Sequence, residues 1–233
     1  NTRERIRESS PAINPVFSRV GREFNNKITE VITLIIKDKT IDGGKGFDWG
    51  RVSSEYAKYR DIYPKIFFRK ILDLGLCKDG QKILDLGTGT GVLPRNMYCY
   101  GGIWTGTDIS EEQIEQAKHL SAGMNIDYKA VATEKIDFPA ESFDVITACQ
   151  CFWYFDHESV MPNLYRMLKP GGMFLICNES SGDTDKDEKW TKIIDGMTIY
   201  KDVELKAELE QAGFCDVQIH KNKWGWLCVT ARK

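Results

Sequence analysis

The sequence has no apolar run of the roughly 18 or more residues a transmembrane helix needs, and no secretory hydrophobic segment. Those absences argue against a membrane-spanning or exported protein. There is no basic excess either: the formal net charge is −2, whereas a general nucleic-acid binder presents a positive surface to phosphate. The locally basic start (Arg3, Arg5, Arg7) is interleaved with Glu4 and Glu8 and reads as a solvated helix or tail. Histidine is scarce. His119, His157 and His220 are not at metal-ligand spacing, so no metal site is expected. The seven cysteines, Cys77, Cys99, Cys149, Cys151, Cys177, Cys215 and Cys228, contain no C-x-x-C pair and are odd in number. That pattern points to free thiols in a reducing, cytoplasmic setting. No internal repeat or low-complexity tract stands out. The chain begins with Asn1 rather than Met, which leaves open a module cut from a longer protein.

What is present is a soluble-type composition, 42% hydrophobic and 28% charged over 233 residues, enough for one domain with a buried sheet. Residues 1–50 read as an N-terminal extension, helical or partly disordered. Ile28, Val31, Ile32 and Ile35 recur at helical spacing, while residues 32–36 read equally well as a strand. The turn-rich Asp42-Gly43-Gly44-Lys45-Gly46 marks a hinge before a compact domain over 51–233.

From Tyr63-Pro64 the pattern becomes regular. Pro64 opens a helix whose apolar face runs through Ile66, Phe67, Ile71, Leu72 and Leu74. Strands are expected at Lys82–Leu86, Ile103–Thr107, Ile126–Val131, Phe143–Ala148 and Met173–Cys177. Between them fall helices at about Val92–Tyr100, Glu111–Leu120 and Glu158–Leu168. Ser110 and Gln113 have the spacing of a capping box, and Lys169-Pro170-Gly171-Gly172 is a helix stop signal. A last helix, Val203–Ala212, precedes strands at Asp216–His220 and Trp226–Ala231. Strand and helix alternate five times, so the fold class is α/β, a doubly wound, mainly parallel sheet. Ligands bind such sheets outside the carboxyl ends of the strands, where the strand order reverses.

The chemistry-bearing residues fall at those strand ends. In Asp85-Leu86-Gly87-Thr88-Gly89-Thr90-Gly91 three glycines remove side chains from a strand-to-helix turn, so that a ligand can lie against the backbone. The helix start that follows offers N–H groups to an anionic group. Asp108 lies 21 residues after Gly87, at the end of the second strand, where a carboxylate can accept both hydroxyls of a ribose.

Asp85 to Gly91, Asp108, Phe138-Pro139-Ala140-Glu141-Ser142-Phe143-Asp144 and Leu168-Lys169-Pro170-Gly171-Gly172 together resemble the class I S-adenosylmethionine-dependent methyltransferases. The flavour is that of the small-molecule branch, similar to the ubiquinone/menaquinone-biosynthesis type, and the resemblance covers about residues 50–233. It implies a Rossmann-like seven-stranded sheet with the last strand antiparallel, S-adenosylmethionine as cofactor, and a small-molecule substrate. It implies no nucleic-acid or membrane partner. Gly87, Thr88, Gly89 and Gly91, with Asp85, would cradle the methionine part of the cofactor. Asp108 would hold the ribose, Ile109 would pack on adenine, and Thr133 and Glu134 would border the adenine amino edge. Here the sequence departs from the family, which commonly carries an acid at the position of Ala132. Cys149 would lie near the sulfonium, and Tyr59, with Tyr56 and Arg60, would fold over the cofactor.

Two other readings stand beside this one: a cofactor-binding sensor without catalysis, and a nicotinamide-dependent oxidoreductase. The second wants Gly or Ala three residues after Gly89 and meets Val92. The stretch Cys149 to His157 follows strand four, where the family faces its acceptor. Phe152 and Trp153 read equally as a wall of a substrate pocket or as core. Tyr154 and His157 are the candidate general bases by chemistry. Cys149 and Cys151 would share a face if the segment stays extended, a pattern that would suit a soft thiol or metalloid chemistry.

Overall fold

The computed structural model describes residues 63–179, 202–221 and 226–233. The N-terminal extension, and with it Tyr56, Tyr59 and Arg60, lies outside the described residues. Helix α1 (Lys65–Asp73) leads to β1 (Lys82–Leu86), α2 (Val92–Met97), β2 (Ile103–Asp108), α3 (Glu111–Leu120), β3 (Ile126–Ala130) and β4 (Phe143–Cys149). Then come α4 (His157–Met167), β5 (Leu168–Glu179), α5 (Asp202–Gln211), β6 (Cys215–Lys221) and β7 (Trp226–Arg232).

The strands form one seven-stranded sheet in the order β3-β2-β1-β4-β5-β7-β6. β1 pairs in parallel with β2 and with β4, β2 with β3, and β4 with β5, while β7 runs antiparallel to both β5 and β6. The strand order therefore reverses between β1 and β4, and the crevice this opens lies at their carboxyl ends. Both faces of the sheet are covered, which is why Ile83, Leu84, Asp85 and Leu86 are all buried in succession. The two-residue alternation of a strand sorts these side chains. Leu84, Leu86, Ile146, Ala148 and Phe174 face a core shared with α4 and α5, while Ile83, Val145, Cys149 and Leu175 face one shared with α1 and Trp104.

Local differences from the sequence reading have physical causes. The expected helix over 92–100 is α-helical only to Met97 and tightens into a 3-10 turn, Tyr98–Tyr100, closed by Gly101 at φ +81°. The Ser110 hydroxyl accepts the Gln113 N–H at 3.2 Å, the first half of a capping box. The other half is replaced: the Ser110 N–H donates not to Gln113 but to Asp108 Oδ1, at 2.9 Å. β5 starts at Leu168, not Met173. Lys169-Pro170-Gly171-Gly172 does end α4, and it then bulges out of the ladder, because Phe143–Val145 of β4 spans Leu168–Met173 of β5. No helix among the described residues is long and apolar enough to cross a membrane.

Candidate cofactor site

At the floor of the crevice lies Asp85, 2% exposed. The hydroxyls of Thr88 and Thr147 donate to its two oxygens, each at 2.6 Å. Burial raises its carboxyl to about 6; the two threonine hydrogen bonds oppose the shift and the nearby Asp108 adds to it. A carboxylate this deep is expensive to keep charged, and two donors offset only part of that penalty.

The glycine loop above it is left-handed at Gly87, Gly89 and Gly91 (φ +55°, +57° and +75°). It is pinned from beneath by two side chains. A Cβ on Gly87 would stand 2.6 Å from Cys151 Cβ, and one on Gly91 would collide with Tyr128 Oη. Tyr128 reaches under the loop from β3 and shares a 2.9 Å hydrogen bond with Ser121 Oγ. On Gly89, by contrast, a Cβ would meet nothing closer than Gln113 Oε1 at 3.9 Å. The loop is thus packed below and open at its middle glycine, the shape that admits a ligand against backbone.

Asp108 closes the crevice on the β2 side. Its Oδ2 accepts the Gly89 N–H at 2.9 Å and its Oδ1 accepts the Ser110 N–H at 2.9 Å. Burial moves its carboxyl upward, while backbone amides of Ser110, Gly89 and Ile109 hold it down. A carboxylate has about four acceptor sites, so with three backbone amides on it the group fixes the loop and keeps room for a further donor. Beside it Ile109 stands 45% exposed, an apolar surface at the strand end. Thr133 is buried in the 3-10 turn Thr133–Lys135 that follows β3. Glu134 is engaged elsewhere: its Oε1 accepts the Asp156 N–H at 3.1 Å and ties this turn to the start of α4.

The segment after β4 departs most from the sequence reading. Gln150 takes φ +64° and its N–H donates to the Cys177 carbonyl at 2.8 Å. The backbone is therefore not extended, and Cys149 and Cys151 part company. Cys149 joins the α1-side core, while Cys151 Sγ donates to the Leu86 carbonyl at 3.1 Å and packs on the opposite core. Phe152 and Trp153 are core residues, 1% and 4% exposed; Phe152 meets Phe174 edge-on at 5.8 Å. Tyr154 is half-buried in the 3-10 turn Phe152–Tyr154.

The structure places His157 in the core. Its ring is buried and stacked on Phe152 at 4.2 Å. Nε2 is bonded to the Phe152 carbonyl at 2.8 Å and Nδ1 lies 3.5 Å from Glu208 Oε1 on α5. A ring engaged at both nitrogens braces α4 against α5, a placement that suits packing better than proton transfer. Replacing His157 by Ala is expected to lower unfolding stability by about 2 kcal/mol, through a vacated core position and an orphaned carbonyl. Urea denaturation checks this; a loss under about 0.5 kcal/mol would place the residue on the surface class instead.

Tyr128 and Thr147 are site-supporting residues that the sequence reading did not single out, and Cys151 was read only as a neighbour of Cys149. The signal for Tyr128 was the alternation Ile126, Tyr128, Ala130 in a strand; in the structure it is the one buried residue of β3.

A parallel sheet reversing between β1 and β4, with a buried acid under a glycine loop and a second acid at the end of β2, is the layout of a Rossmann-like ligand-binding domain. The comparisons specify the kind. Residues 84–176 match the family model described as a methyltransferase domain. A ubiquinone biosynthesis O-methyltransferase of Pseudomonas putida (strain W619) is 33% identical over 129 residues, 53% of this chain and 54% of that protein. The chain thus spans about half the length of the curated relatives it matches. An S-adenosylmethionine-dependent methyltransferase from Aquifex aeolicus superposes with a TM-score of 0.62 at 22% identity, covering 80% of this chain and 98% of that one. Phosphoethanolamine N-methyltransferase 2 of Haemonchus contortus, crystallised with S-adenosyl-L-methionine, gives 0.65 at 17% identity, covering 81% and 62%. These likenesses support a class I S-adenosylmethionine-dependent methyltransferase domain over the matched residues. Neither the oxidoreductase nor the sensor reading draws support from these likenesses.

Proposed function

We propose that this chain transfers a methyl group from S-adenosylmethionine to a small-molecule acceptor. The observation that carries the reading is the Asp108 carboxylate, bonded to the Gly89 amide at 2.9 Å and standing beside the exposed Ile109 at the one open stretch of the glycine loop. That donor set fits an adenosyl group: an acid with spare acceptor capacity for a ribose, an apolar face for a purine, and backbone without side chains for the amino-acid end.

In this reading Gly87, Thr88, Gly89 and Gly91 hold the methionine part, with Asp85 fixing the loop through the Thr88 hydroxyl. Asp108 takes the ribose hydroxyls, Ile109 packs on the base, and Thr133 borders its edge. Glu134 acts there through the turn it ties down, and Cys149 lines the floor; the expected cover by Tyr59 lies outside the described residues. When bound, the cofactor supplies an activated methyl carbon on a sulfonium. The chain's residues then have three tasks: to orient the acceptor for in-line attack, to exclude water, and to accept a proton where the acceptor must lose one. Tyr154 is the candidate for the last task. The acceptor's being a small molecule is supported by the Pseudomonas relative's name, and a cytoplasmic setting by seven cysteines that are all free thiols.

Calorimetric titration with S-adenosylhomocysteine tests the reading. Asp108→Ala removes the ribose acceptor and leaves the Gly89 and Ser110 amides unpaired, so affinity is expected to fall by a factor of ten or more, about 1.4 kcal/mol or above. Unchanged affinity, or no binding of any adenosyl ligand to the wild type, overturns the proposal. Transfer of radiolabelled methyl into small-molecule extracts identifies the acceptor. Tyr154→Phe is then expected to slow turnover by a factor of about 100 or more if the hydroxyl moves a proton, and equal rates remove it from the chemistry.

A further inference from the structure

Three cysteines stand side by side across the sheet. Cys149 ends β4, Cys177 lies opposite it on β5, and Cys228 lies opposite Cys177 on β7. Cys149 and Cys177 are register partners, and on its other side Cys177 Sγ lies 3.5 Å from Cys228 Sγ. The arrangement is a row, not a ring, and among the described residues no group of three or more Cys, His, Asp or Glu converges as a metal site. Cys149 and Cys177 are buried, whereas Cys228 is partly exposed. None of this is used by the cofactor site except Cys149.

We propose that Cys177 and Cys228 are a modification site, a cross-strand thiol pair that a peroxide converts to a reversible disulfide. The partners are already aimed at each other, since 3.5 Å between sulfurs leaves about 1.5 Å to close to a covalent bond. The two thiols are also unequal. The hydrogen bond from Cys177 holds Cys228 below the ordinary thiol range against the opposing effect of its burial, while hydrogen bonds to both neighbours, and then burial, push Cys177 well above it. Thiolate character thus sits on the more exposed residue of the pair, which makes Cys228 the attacking group and Cys177 the resolving one.

The chemistry balances with hydrogen peroxide alone as oxidant. The Cys228 thiolate attacks one peroxide oxygen, the O–O bond breaks, and hydroxide leaves as Cys228 becomes a sulfenic acid. Cys177 sulfur then attacks the Cys228 sulfur; the S–S bond forms, the S–O bond breaks, and the departing hydroxide takes the Cys177 proton. Two thiols have given up two electrons, and one peroxide has become two waters. Directly opposed residues on antiparallel strands hold their Cβ atoms about 4.5–5.5 Å apart, wider than the mean in relaxed disulfides. The bond would therefore carry strain and be easily reduced, the property of a switchable disulfide as opposed to a structural one.

The test uses the whole chain with the exposed Cys99 and Cys215 replaced by Ser, treated with hydrogen peroxide and mapped by peptide mass spectrometry. The expected result is a Cys177–Cys228 link within one chain, reversed by dithiothreitol, with an unchanged far-ultraviolet spectrum. Cys228→Ser is expected to abolish the link, and Cys177→Ser to leave a sulfenic acid at Cys228 that dimedone traps. The proposal is overturned if both cysteines remain thiols at peroxide doses that oxidise Cys99 and Cys215 in the unsubstituted chain. It is equally overturned if the link forms only after unfolding in guanidinium.

Discussion

Asp85→Asn is expected to give a protein that is more stable at neutral pH and a poorer cofactor binder. The carboxyl is raised from 3.8 to about 6 by burial, a difference worth up to about 3 kcal/mol at about 1.36 kcal/mol per pH unit. The sign follows from proton counting. Between pH 4 and 6 the folded chain holds a proton here that the unfolded chain has lost, so stability falls as pH rises through that window. Above it the whole cost is present, and below 3.8 none is. Asn has nearly the same shape, and the Thr88 and Thr147 hydroxyls can reorient to meet an amide. Thermal unfolding in the absence of ligand should therefore show Asp85→Asn above wild type at pH 7.5 and the two converging near pH 4. A variant less stable than wild type at pH 7.5 would mean that the two threonine bonds outweigh desolvation. Cofactor affinity should move the other way. The carboxylate is a buried negative charge under a loop read as holding an ammonium-bearing group, and its loss is expected to weaken S-adenosylhomocysteine about tenfold or more. Wild-type affinity should fall as pH drops below about 6, and the Asn variant should lack that step.

Gly91→Ala is expected to destabilise the domain by about 3 kcal/mol and to abolish cofactor binding with it. Two separable penalties combine. An L-residue at φ +75° costs about 1–2 kcal/mol, and the new methyl would run into the Tyr128 ring, whose Cζ would lie 2.9 Å away. A double-mutant cycle separates them. Tyr128→Phe alone forfeits the Ser121 hydrogen bond, about 1 kcal/mol. Combined with Gly91→Ala it removes the nearest clashing atom, so the two changes together should cost less than their sum by about 1 kcal/mol. Strict additivity in chemical denaturation would show that the ring does not prop the loop.

What the sequence made legible were features set by short-range rules. The buried strand at 82–86, the Ser110 cap and the stop at Lys169-Pro170-Gly171-Gly172 follow from local composition, and the acids at strand ends follow from the winding. Partnerships between distant segments were not legible. That Glu134 would turn to the Asp156 amide, or that His157 would be sandwiched between Phe152 and Glu208, depends on how α4 lies across the sheet, which no local pattern encodes. The reading of Cys149 and Cys151 failed at a single dihedral. One left-handed residue, Gln150, rotates the chain between them, and Gln gives no warning of a positive φ as Gly or Asn would. Tyr128 was not legible as a prop, because the Cβ-free surface it fills belongs to Gly91 and Gly106, far away in sequence.

The strand order also governs how the chain can assemble. β6 is made before β7, yet β6 touches the sheet only through β7, which slots between it and β5. Until residues 226–232 are available, the outer edge of β5 is a row of unpaired amides and carbonyls, and β6 has no place to dock. Such an edge invites pairing with another chain. A nascent or truncated molecule lacking the final hairpin would thus hold an intact cofactor crevice at β1 and β2 while remaining prone to self-association. Its solubility would be decided some three strands away from the residues that bind the ligand.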